Sequence, residues 1–111
     1  VVQLSSFVRV PPKDEDQLLA AVAKGPVSVA IDASAMQHYK SGIVTSGCGS
    51  QLDHAVLVVG YGTDLGIDYW LVKNSWGSRW GEGGYVRIER GTGTGDGRCG
   101  IAVVPVYPVV S

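Results

Sequence analysis

Leu52-Asp53-His54-Ala55-Val56-Leu57-Val58-Val59-Gly60-Tyr61-Gly62 is followed, after a short polar break, by Tyr69-Trp70-Leu71-Val72-Lys73-Asn74-Ser75-Trp76-Gly77. Each stretch holds an apolar run of strand length, rich in β-branched or aromatic residues. Asp64-Leu65-Gly66-Ile67-Asp68 between them reads as a hairpin loop. Two antiparallel strands joined this way bring His54, at the mouth of the first, close to Asn74, just past the second. Alone, each residue has an ordinary reading. His54 is then a partly exposed edge residue, Asn74 a turn residue, Trp76 and Trp80 core, and Asp53–His54 a local charge pair. Together they permit more. An Asn oxygen that accepts from one ring N–H fixes the imidazole's tautomer and leaves the other nitrogen to take a proton. Such a histidine activates a Cys or Ser nucleophile, and an indole packed over the contact strengthens it by excluding water.

Around this hairpin the chain predicts one helix over 14–24, with Asp14 as cap, Gln17 completing a capping-box pattern, and Leu18, Leu19 and Val22 on one apolar face. Gly25-Pro26 ends it. Apolar runs at 7–10, 27–31, 55–59, 69–72, 85–89 and 101–106 predict strands. Glycine supplies 16 of 111 residues and clusters between these runs, which argues for turns and close backbone packing. Thr92-Gly93-Thr94-Gly95-Asp96-Gly97 is of low complexity and is expected to form a mobile surface loop. The expected architecture is α+β: one helix on a curved antiparallel, barrel-like sheet, in a single domain spanning 1–111.

Composition narrows the function classes. A net charge of −1 gives no electrostatic case for nucleic acid or an anionic membrane, and the arginines near 79 and at 87–90 read as solvated surface positions. No apolar run reaches the roughly 20 residues needed to cross a bilayer. The chain starts Val1-Val2-Gln3-Leu4, without an initiator Met or a signal segment, so further polypeptide is expected before it. Cys48 and Cys99 are either two buried thiols or, in an oxidising compartment, one disulfide. Their spacing suits no zinc site, and neither a metal nor a cofactor is expected.

The motifs Gly25-Pro26-Val27-Ser28-Val29-Ala30-Ile31-Asp32, Leu52 to Gly62 and Tyr69 to Gly77 occur in order. With Trp80-Gly81-Glu82-Gly83-Gly84-Tyr85, Cys99-Gly100-Ile101-Ala102 and Tyr107-Pro108, they resemble the β-rich C-terminal lobe of papain-like cysteine peptidases, in the cathepsin L branch. The resemblance covers essentially the whole chain. It implies a papain-like fold and a cysteine endopeptidase in which His54 is the catalytic histidine and Asn74 its orienting partner. Trp76 then shields that contact on the leaving-group side. Ala30, Leu52, Ala55 and Val104 fall where the family lines its main specificity pocket, which implies a preference for apolar residues at the second position before the scissile bond. Asp53 lies beside the site outside the triad.

Gly47-Cys48-Gly49-Ser50 superficially suggests the family's nucleophile motif, but Cys48 stands six residues before His54. There the family carries a cysteine bridged to the one matching Cys99. The resemblance therefore implies a Cys48–Cys99 disulfide. It places the nucleophile on a helical N-terminal lobe, upstream of Val1. The implied partners are that lobe or chain, peptide and protein substrates, and protein inhibitors or a propeptide. The implied setting is secreted, lysosomal or vacuolar. Two other classes compete: a binding or structural relative with a replaced nucleophile, and a silicatein-like relative using serine. The residue at the nucleophile position discriminates among them.

Overall fold

The computed structural model describes the backbone of residues 4–49, 51–93 and 95–110, and side chains of 9–49, 51–93 and 95–106. Val1 to Gln3, Ser50 of the cysteine motif and Thr94 of the glycine-rich loop lie outside the described residues. In chain order the strands and helix are β1 (Leu4–Arg9), α1 (Glu15–Lys24), β2 (Val27–Ile31), β3 (Ile43–Val44), β4 (His54–Asp64), β5 (Ile67–Lys73), β6 (Tyr85–Glu89) and β7 (Val106–Val110). Short 3₁₀ turns at Ala33–Ala35 and Arg98–Gly100 complete the described elements. The helix begins where a cap is available: Asp14 accepts from the amides of Asp16 and Gln17, both at 3.1 Å. It ends at Gly25, ahead of Pro26.

All seven strands form one sheet in the order β1-β7-β2-β4-β5-β6-β3. Two features differ from the expected antiparallel, barrel-like sheet. The short β3 runs parallel to β6, and β1 and β3 are open edges, so the sheet does not close. The third difference lies at 101–106. Ile101 and Ala102 are fully buried, but they follow a 3₁₀ turn in which Cys99 has φ 60°, and the strand starts only at Val106. Burial of that run was legible in its composition; its extended conformation was not, since a short apolar run is buried equally well in a turn.

Alternation divides the sheet faces. Val27, Val29 and Ile31 of β2, Val56 and Val58 of β4, Trp70 and Val72 of β5, and Val86 and Ile88 of β6 point into the core, where Leu18 and Val22 of α1 join them. Ser28, Ala30, Ala55 and Leu57 therefore lie on the opposite face, as register partners in the pairs Ser28↔Leu57 and Ala30↔Ala55. The β4–β5 hairpin closes on only two residues, Leu65 and Gly66, with φ 52° and 79°. Both left-handed values match the turn that suits the right-handed twist of paired strands.

Arg87 and Arg90 are not simple surface charges. Half-buried Arg87 bridges Glu82 (Nε–Oε1, 2.8 Å) and Asp64 (Nη1–Oδ2, 2.7 Å), while Arg90 lies over the rings of Tyr61 and Trp70. Their guanidinium planes let long cationic side chains cover aromatic surface.

Candidate active site

His54 is the first residue of β4 and Asn74 the first after β5, so the hairpin register carries them to one end of the sheet. His54 Nε2 and Asn74 Oδ1 are 2.7 Å apart. An amide oxygen only accepts, so Nε2 must carry the proton in this contact. The Ser75 amide also donates to Asn74 Oδ1, at 2.8 Å, and two N–H groups converging on one atom fix which end of the carboxamide faces the ring. His54 Nδ1 remains as the nitrogen able to exchange a proton with another group. Asn74 is 6% exposed, and its Nδ2 has no acceptor among the described residues.

The loop after Asn74 brings the indoles. The Trp76 ring lies 5.1 Å from the His54 ring, tilted by 37°. Trp80 packs edge-on against Trp76 at 5.4 Å and donates from Nε1 to the Met36 carbonyl at 2.9 Å. Trp76 thus lies against the His54 ring with one side exposed, and Trp80 is the half-buried prop behind it. The loop is held by backbone bonds from Asn74 N to Gly84 O and from Gly84 N to Trp80 O. Gly81 is required within it: its φ is 57°, and a Cβ there would sit 2.7 Å from the Tyr85 carbonyl oxygen. Glu82 closes the loop base, paired with Arg87 and accepting from Gly42 N. The Arg87 hydrogen bonds hold the Glu82 carboxyl below the usual carboxylate range.

Asp53 accepts from Ala33 N at 3.0 Å and so ties the strand entry to the neighbouring segment. Asp53, His54, Gln37, Gln51 and Trp76 line an open hollow of about 250 Å³. Of the four residues expected in a specificity pocket, Ala30 and Ala55 lie side by side in register, and half-buried Leu52 precedes His54 by two positions. Val104, 37% exposed, sits on the turn before β7. Ala55 opens onto a second hollow of about 360 Å³, while Val104 borders a separate cleft with Val10 and Pro12. Ala30 and Ala55 are therefore neighbours on one sheet face, and neither hollow is lined by all four residues.

Cys48 and Cys99 are bridged, with Cα atoms 5.2 Å apart, and no cysteine is free. Among the described residues no group of three or more His, Cys, Asp or Glu gathers as a metal site, and no helix is long and apolar enough to cross a membrane. Sequence reasoning missed one site-neighbouring residue. Asp32 appeared there only as the end of an apolar motif, yet its carboxylate is buried at the entry to His54.

An open α+β sheet lobe that presents an amide-oriented histidine beneath an indole defines the class of papain-like folds. The papain family cysteine protease profile matches residues 1–109, and the chain belongs to that family, as its C-terminal lobe. It is 56% identical to cysteine proteinase COT44 of Brassica napus, over 98% of this chain and 34% of that protein. Among solved structures, bromelain protease from Ananas comosus in complex with the E64 inhibitor superposes with a TM-score of 0.93 at 47% identity. That match covers 97% of this chain and 51% of bromelain. The proform of the ragweed pollen allergen Amb a 11, also a cysteine protease, gives a TM-score of 0.93 at 41% identity, over 98% of this chain and 34% of that one. The chain thus spans about a third of the length of the curated relative it matches.

Proposed function

We propose that this chain supplies the histidine and its orienting amide to a cysteine endopeptidase, and that the nucleophilic cysteine belongs to polypeptide beyond this sequence. The observation that carries the reading is the 2.7 Å contact from His54 Nε2–H to Asn74 Oδ1, which leaves Nδ1 for the nucleophile. In the reaction, His54 Nδ1 takes the thiol proton and forms an imidazolium beside the thiolate. The thiolate attacks the peptide carbonyl, and the imidazolium then gives its proton to the leaving amine as the acyl-enzyme forms. Water hydrolyses that intermediate with His54 again acting as base. Asn74 holds the ring in one orientation through both transfers, and Trp76 limits water on its flank. Neither cysteine of this chain suits the role of nucleophile, since they are joined to each other.

The apolar character of Ala30, Leu52, Ala55 and Val104 supports a preference for Leu or Phe over Arg at the second position before the scissile bond. Absence of a carboxylate among those four leaves a buried guanidinium without a partner. The companion lobe is a required partner, and a propeptide is a further one, as a proform exists for the ragweed relative. The disulfide supports an oxidising secretory, lysosomal or vacuolar setting.

The test is peptide hydrolysis by the full-length protein and by this chain alone, with a panel varying that second residue. The full-length protein is expected to cleave with Leu or Phe preferred, and this chain alone to be inert. Activity in the isolated chain, or Arg outperforming Leu and Phe, overturns the respective part of the reading.

A further inference from the structure

We propose that Asp32 is a positioning residue for His54: its carboxylate clamps the amides of Gly49 and Gln51 on the approach to His54. This role rests on the peptidase reading above. Asp32 is 6% exposed, and its carboxylate accepts from Ser34 N at 2.9 Å, Gly49 N at 3.0 Å, Gln51 N at 3.2 Å and the Ser34 hydroxyl. Its own amide donates to the Cys99 carbonyl at 2.8 Å. One side chain therefore joins the end of β2, the following 3₁₀ turn and the chain leaving Cys48, next to the disulfide that ties Cys48 to Cys99.

The neighbouring carboxylate works in the opposite direction. Asp53 reaches back to Ala33 N at 3.0 Å, and Asp53 N donates to Ile31 O at 3.1 Å. Residues 31–34 are thus tied to Gly49, Gln51 and Asp53 by two carboxylates shortly before His54, which pairs with Ile31. Between Cys48 and His54 the described residues have no regular secondary structure, and without Asp32 the amides of Gly49 and Gln51 lose their side-chain acceptor. A buried carboxylate that accepts several N–H bonds is a strong and directional anchor. Geometry is the point of such an anchor, because a displacement of about 1 Å at a reacting group costs on the order of 100-fold in rate.

The charge persists in acid. Hydrogen bonds from the Ser34 hydroxyl and amide, with smaller help from Gln51 and Gly49, hold the carboxyl below the usual carboxylate range against the opposing effect of burial. A depressed value means the clamp is complete above the ordinary carboxylate range and is lost only as pH falls through the lowered one. The titratable groups facing the same hollow are Asp53 and His54, while Arg98, beside Cys99, is turned to Glu89.

The experiment uses the full-length protein with Asp32→Asn, Gly49→Ala and Ser34→Ala. Asp32→Asn keeps the shape, but its NH₂ must face one set of N–H donors. Gly49→Ala keeps the charge, but its Cβ would lie 3.2 Å from Asp32 Oδ2 and press on the clamp. Readouts are kcat and KM on a peptide, normalised to the folded fraction, and the pH dependence of nucleophile alkylation by neutral iodoacetamide. Asp32→Asn is expected to lower kcat by roughly tenfold or more with KM nearly unchanged. It is also expected to raise the alkylation midpoint, because a displaced imidazolium stabilises the thiolate less. Gly49→Ala should move both readouts in the same direction by less. Ser34→Ala, which leaves the Gly49 and Gln51 bonds, should cost less than Asp32→Asn. If Asp32→Asn does not fold, Gly49→Ala decides. Unchanged kcat and midpoint in folded enzyme, or losses that only track the folded fraction, overturn the role. A full-length parent that hydrolyses no peptide and has no low-midpoint thiol overturns the peptidase reading instead, and the positioning role with it.

Discussion

Replacing Asn74 by alanine removes the side-chain acceptor that His54 Nε2–H has among the described residues and leaves the imidazole without a fixed direction. The magnitude follows from the contact. It is short, at 2.7 Å, its acceptor is buried, and its donor becomes charged when the ring takes a proton. Hydrogen bonds to charged groups contribute about 1.5–3 kcal/mol. At about 1.4 kcal/mol per tenfold in rate, kcat of the full-length enzyme should fall by roughly 10- to 100-fold. KM should change little, since Asn74 is too buried to touch substrate directly. Alanine also removes the acceptor of the Ser75 amide, worth about 1 kcal/mol of stability. Thermal melting must therefore be recorded beside steady-state kinetics on a fluorogenic peptide. A folded Asn74→Ala enzyme with kcat within twofold of the parent would refute the orienting role.

Three predictions concern the lobe itself. Converting Cys48 and Cys99 together to serine should cost about 2–4 kcal/mol, read as a lower melting temperature under non-reducing conditions; an unchanged value argues against the bridge. Leu65 is 94% exposed with φ 52° at the hairpin tip, so Leu65→Asn should stabilise by about 0.5 kcal/mol, and a fall in melting temperature would contradict the turn assignment. Glu15 is pushed above the usual carboxylate range, mainly by burial, with Oε1 lacking a partner among the described residues and Oε2 held by Gly91 N. The folded state thus holds that proton more tightly than the unfolded one, and this contribution to stability falls as pH rises from about 4.5 through the raised value. Glu15→Gln should remove that slope in pH-dependent melting; a slope unchanged in the variant assigns it to another group.

The hairpin and the helix were legible because their signals are local. Asp14 and Gly25 mark the ends of α1, and alternation in β2 and β6 states which side chains face the core. The meeting of His54 and Asn74 followed from register alone. What escaped was non-local. β3 contributes two residues, paired in parallel with β6, and nothing in Ile43-Val44 announces a partner so far along the chain. The run at 101–106 was apolar enough to be a strand, but the bridge to Cys48 and the left-handed Cys99 commit its start to a turn. Within the glycine-rich run, Asp96 pairs with Lys13 and accepts from Ala102 N, partners that no composition argument supplies. Asp32 was hidden for the same reason: its donors Gly49 and Gln51 lie beyond the next turn and strand.

The central claim is that His54 serves a cysteine that this chain does not contain. It is tested most directly by treating the full-length protein with a thiol-directed epoxide and locating the label by intact and peptide mass. The account predicts one equivalent of label on a single cysteine outside this sequence, abolished by His54→Ala, with Cys48 and Cys99 still bridged. Absence of label, label on Cys48 or Cys99, or full labelling in the His54→Ala protein would contradict it.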